Sequence, residues 1–128
     1  MKKIDEYYIF AGLAWLIAGM AFGMWLGAAN HLNFANSHAH TGLVGFVVST
    51  LFGMTYRFFP AMKTSRIAGL QFLVYEIGAV LLVIGKVRVD AGGGDQVVAV
   101  GSVVVLVGVL MMLWIFATSR APTLSRMP

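Results

Sequence analysis

The chain has 128 residues, of which 59% are hydrophobic and 11% charged. An ordinary soluble domain is roughly half apolar, and a fold this small has too little interior to hide the excess from water. The absence of cysteine excludes disulfides, thiolate metal sites, iron–sulfur clusters and thioether-linked cofactors. The net charge of +4 comes from basic residues flanking apolar runs, which is a membrane-topology signal and not a nucleic-acid footprint.

Four runs reach the roughly 20 apolar residues needed to cross a bilayer. The first, residues 8–29, contains Gly19, Gly23 and Gly27, a double GxxxG that predicts close helix packing. It is too long for the core of a cleaved leader and is followed by further spans, so it is expected to be retained. Asn30, His31, Asn33 and Asn36 follow; the asparagines are expected to cap and turn the backbone before the second run. That run, 38–59, opens on His38 and His40 and stops at Pro60. The third, 67–85, holds Glu76 near its middle. An ionisable group at such depth is a candidate proton site, expected neutral because burying a lone charge is costly. Gln71 and Tyr75 on the same helix are its expected hydrogen-bond partners.

A linker with Gly92, Gly93 and Gly94 leads to the valine-rich fourth run, 97–117. Its length and lack of alternation favour a helix over strands. The linkers leave no room for a second domain, so residues 1–128 are read as one all-α, four-helix transmembrane domain. Lys2, Lys3, Arg57, Lys63, Arg66, Arg120 and Arg126 fall on one side, and Lys86 and Arg88 on the other. Both termini are therefore expected in the cytoplasm, with the histidine end outside. Trp25 suits the outer interface and Trp114 the inner one.

All three histidines lie in residues 31–40. Successive helical residues advance by about 100°, so His38 and His40 point about 200° apart. One regular helix cannot bring them to a single metal, but it can present them to two sites. Gly42, Gly45, Ser49 and Gly53 follow the His38 flank; Val44, Val47, Leu51 and Phe58 follow the other. Two readings of the small stripe stand: a helix-packing groove, or room for a flat cofactor beside an imidazole. His31, seven residues before His38, is read as a loop residue near such a cofactor.

The run SHAHTGLVGFVVSTLFGMTYRFFP, residues 37–60, resembles the His-x-His helix of the haem–copper oxidase catalytic subunit, especially in cbb-type oxidases and nitric oxide reductases. The matching residues are His38, His40, Gly42, Gly45, Gly53, Tyr56 and Pro60. The resemblance covers the second run well. It implies one four-helix arc of that fold, with non-covalent haem b ligated by His38 on one flank and His40 on the other. The third run has no histidine, so the copper centre is not expected, nor is complete oxygen reduction. The implied function is a b-type haem protein of electron transfer in a bacterial-type cytoplasmic membrane, its haem end extracytoplasmic and its redox partner unspecified.

The alternatives are a non-haem accessory or assembly subunit of a respiratory complex, and a metal-binding or quinone-reactive enzyme. Because two divergent imidazoles cannot sandwich one iron, the chain is expected to be a homo-oligomer. A trimer of twelve helices, with His38 of one chain facing His40 of the next, is favoured over a dimer.

Overall fold

The computed structural model describes residues 1–120; Arg126 lies outside the described residues. The elements are α1 (Ile4–Ala29), α2 (Ala35–His40), a π-helical segment (Thr41–Val47), α3 (Val48–Phe58), α4 (Ala68–Asp90) and α5 (Gln96–Ser119), with short 3-10 turns at Leu32–Phe34 and Pro60–Thr64. Three helices, α1, α4 and α5, are long and apolar enough to cross a membrane. They are the first, third and fourth predicted runs, each extended by a few residues. The second run is helical from 35 to 58 but changes its winding part-way.

The helix ends follow from local chemistry. α1 stops where Asn30 takes a left-handed backbone, φ 56°, and returns its N–H to the Leu26 carbonyl; asparagine tolerates that region better than most residues. Pro60 ends α3 because the residue before proline is pushed out of the α region, and Phe59 sits at φ −122°, ψ 71°. Gly92 turns the chain at φ 92° between α4 and α5.

α1 packs on the π segment and α3, α2 leans on α4, and α4 pairs closely with α5. That last contact is backbone on backbone, at Gly78 and Gly85 of α4 and Gly101 and Gly108 of α5. At the other side of the bundle, Gly12 faces Thr50, and Gly53 faces Asp5, Tyr8 and Ile9. Asp5, in the first turn of α1 where a negative charge suits the helix dipole, accepts from Arg57 Nε at 3.0 Å and Lys63 Nζ at 3.1 Å.

Near that end the elements meet on Gln71. It is fully buried. Its Oε1 accepts from the hydroxyls of Tyr8 (2.7 Å) and Tyr56 (3.2 Å), and its Nε2 donates to the Gly108 carbonyl (3.1 Å). One amide thus ties α1, α3 and α5 to α4. Gln71→Leu keeps the volume but strips two hydroxyls of their acceptor. With such bonds contributing ~0.6 kcal/mol each in membrane proteins and ~1 kcal/mol in water, a loss of about 2 kcal/mol is expected. SDS titration of helical circular dichroism in mixed micelles measures it; an unchanged midpoint would show the cluster to be neutral.

Candidate cofactor groove

The π segment organises the candidate site. Val48 N–H bonds the Leu43 carbonyl, five residues back. A regular α-helix would have used that N–H for Val44. The Val44 carbonyl is released and accepts from the Tyr75 hydroxyl at 2.6 Å. A π turn takes up an extra residue, so faces below it are rotated by about 100° from their regular positions. The predicted stripe from Gly42 to Gly53 therefore does not continue one face. Gly45 lies under the Trp15 ring, and a Cβ there would meet Cγ at 2.6 Å. Ser49 is buried and turned to α4, and Gly53 is closed by α1. Packing uses these three residues, and Gly42 alone opens onto free space.

That space is a groove of about 430 Å³ between α1 and the second helical run. Trp15, Leu16, Gly19 and Met20 line it from α1; His38, Gly42, Leu43 and Phe46 line it from the other side. The His38 ring lies over Gly23, whose hypothetical Cβ would sit 2.9 Å from Cε1, and it meets Phe22 edge-on with centroids 6.0 Å apart. Gly23 is thus a seat for the imidazole, a role beyond the packing expected of the GxxxG pattern.

His38 Nδ1 is buried with no hydrogen-bond partner among the described residues. Such atoms are rare in folded chains and call for a ligand, ion or other account. Thr50 Oγ1 is the other such atom, buried where Gly12 of α1 packs against it.

His40 is differently placed. Its Nδ1 lies 2.9 Å from the Asn36 carbonyl. A carbonyl only accepts, so Nδ1 holds the proton and the neutral ring keeps Nε2 bare. A backbone-oriented imidazole with a free Nε2 is the ligand-competent arrangement. With one residue between them in regular α2, the two rings leave the helix about 200° apart and diverge. His31 is exposed and stacks on Trp25, centroids 4.5 Å apart at 19°. Trp25 and Phe34 stand between it and Phe22, the ring that meets His38.

The start of α2 is pinned from outside. The Asp90 carboxylate accepts from Ser37 N–H at 3.0 Å and from the Ser37 hydroxyl, and Lys86 Nζ donates to it at 3.2 Å. Ser37 N–H is one of the orphan donors at a helix start, so α4 caps the helix that bears the histidines. Asn33 Nδ2 adds a bond to the Asp90 carbonyl, 3.2 Å.

Glu76 is half-buried, and its partners are not the expected Gln71 and Tyr75. Trp15 Nε1 donates to Oε2 at 2.9 Å, and Ser49 Oγ lies 2.6 Å from Oε1. Gln71 is engaged by the tyrosines and Tyr75 by the freed Val44 carbonyl. Trp15, not singled out from the sequence, is the common wall of the groove and anchor of Glu76. The one clue was a tryptophan on a neighbouring apolar run, whose height relative to Glu76 is set by packing.

Among the described residues, no group of three or more His, Cys, Asp or Glu side chains converges on one point. Comparisons with protein-family models, with characterised proteins and with solved structures gave no match.

Proposed function

We propose that the protein is a membrane-embedded, b-type haem-binding protein of electron transfer, with His38 as an iron ligand in the groove against α1. The observation that carries this reading is an imidazole with a buried, unpartnered nitrogen on an apolar groove of about 430 Å³. That volume is within the range of small-molecule sites, on the order of 300–1,000 Å³. The residues present fit the group. Gly42 leaves space beside His38 where a Cβ would meet nothing within 4 Å, and Leu43, Phe46 and Met20 supply apolar walls. Bound haem supplies one-electron chemistry. The chain's own residues exclude water, hold the imidazole over Gly23, and fix α2 through Asp90.

In this reading residues 35–58 form a fourth span beside α1, α4 and α5. The lysine and arginine distribution puts both termini in the cytoplasm of a bacterial-type cell and the histidine end outside. His40, with its Nε2 bare and its ring turned away from His38, serves a second iron. In a closed ring each chain presents one patch to a different patch on the next. Three chains pairing His38 with a neighbour's His40 give one haem per interface.

A second reading has its own observation: packing with α1 and the bond to Glu76 consume Gly45, Ser49 and Gly53, as in an accessory subunit that merely packs. Purification in mild detergent after haem-replete expression separates the two. The expected result is a Soret band, a pyridine haemochrome of b type, and a native mass of three chains with three haems. Colourless protein would reject the haem reading, and two chains with any haem count would reject the ring.

A further inference from the structure

Glu76 is the one side-chain carboxyl away from a helix end in the candidate spans among the described residues, and its surroundings are specific. Trp15 Nε1–H only donates, so Oε2 is an acceptor whatever the charge. The Ser49 hydroxyl works in both directions. It donates to Oε1 when Glu76 is ionised and accepts from Oε1–H when Glu76 is protonated. The site therefore accommodates the proton without moving a heavy atom. No hydrogen bond or ion pair reaches Glu76 from a cation among the described residues. The titratable neighbours are Tyr8 on α1 and Tyr75 on α4, with His38 beyond the Trp15 ring on the groove side; α5 has no ionisable side chain.

What the proton changes is the grip on the indole. A bond from Trp15 to a carboxylate is charge-assisted and about twice as strong as one to a neutral acid. The held indole is the same ring that covers Gly45 and lines the groove. We propose that Glu76 is a proton-binding site that sets the indole wall of the His38 groove and, through it, the groove's affinity. The inference deepens the haem reading and rests on it for the identity of the ligand alone. A ferric iron centre is cationic, and in a low-dielectric interior a carboxylate on the far side of one indole favours it. Ferric haem is therefore held more tightly when Glu76 is ionised.

Two measurements test this. In the ligand-free protein with Trp25→Phe and Trp114→Phe, Trp15 is the only indole. Its emission should titrate with pH, and Glu76→Gln should abolish the titration while keeping the Trp15 bond, since the amide oxygen still accepts. Emission that is pH-independent, or that titrates unchanged in Glu76→Gln, overturns the proposal. Next, ferric protoporphyrin IX is titrated into wild type, Glu76→Gln and Glu76→Ala. Any other pH-dependent step is common to the first two, so their difference isolates Glu76. Wild-type affinity should rise with pH more steeply than that of Glu76→Gln, by up to about tenfold per pH unit across the Glu76 titration. Glu76→Ala, which frees the indole, should bind weakly at every pH. Parallel wild-type and Gln profiles overturn the affinity linkage. If the porphyrin binds none of the three, the haem reading and its affinity linkage both fall, and the ligand-free titration still decides whether Glu76 sets Trp15.

Discussion

Leucine in place of Gly101 should disrupt the α4–α5 pair and lower stability by at least about 3 kcal/mol, the upper end of ordinary overpacking. A Cβ at Gly101 would lie 2.4 Å from Leu82 N and 2.7 Å from Leu82 Cα. These are backbone atoms of the facing helix and cannot rotate away. A Cβ at Gly85 would likewise collide with Val98 N, one at Gly78 would lie 2.7 Å from Val105 N, and one at Gly108 would lie 2.9 Å from Tyr75 Cα. The four glycines occur at seven-residue spacing on each helix, so two turns of each backbone run in near contact. Within lipid there is no hydrophobic drive between helices, and van der Waals packing of this kind is the main attraction. A single large side chain at Gly101 forces the helices apart along their length, and loosens the Gln71 bond to the Gly108 carbonyl as well. Gly27→Leu is the control, because nothing lies within 4 Å of its hypothetical Cβ. SDS titration of helicity should show a large drop in midpoint for Gly101→Leu and almost none for Gly27→Leu. Equal behaviour of the two would mean that the close pairing contributes nothing.

These glycines show how far the sequence could be read. Their number and spacing were visible, yet α5 is apolar all round, so no polar face told which side meets α4. The GxxxG of α1 drew attention instead, and there Gly27 touches nothing while Gly23 seats His38. Apolar run length placed α1, α4 and α5 to within a few residues, because hydropathy depends on composition alone. The π segment was not legible: an extra residue in one turn leaves no compositional mark, and it turned Ser49 to Glu76 and closed Gly45 under Trp15. Partner choice for Glu76 failed for a related reason. Neighbours at i, i+4 can be read from one helix, whereas Trp15 lies 61 residues away in sequence. The divergence of His38 and His40 was readable because both fall in regular α2, before the winding changes.

His38→Ala should abolish haem binding in the groove, while His31→Ala leaves it nearly intact. His38 would be the residue that holds the haem in the groove, and its buried Nδ1 has no protein partner to lose among the described residues. Removing the ring therefore deletes the ligand without orphaning another group. It does leave a hole over Gly23, so a fall in stability alone could mimic the effect. Gly42→Leu removes that ambiguity. No protein atom lies within 4 Å of a Cβ at Gly42, and leucine is a better helix former than glycine by roughly 0.8 kcal/mol. The variant should fold as well as wild type and still lose haem, because its side chain occupies the groove beside an intact His38. His40→Ala should alter the coordination state and leave some haem bound, since the two rings serve different flanks. Difference spectra of reduced minus oxidised protein, normalised to chain by absorbance of the denatured sample, read all four variants. Full haem content in Gly42→Leu, with His38 unchanged, would place the haem elsewhere; loss in His31→Ala with retention in His38→Ala would move the ligand to the exposed ring stacked on Trp25.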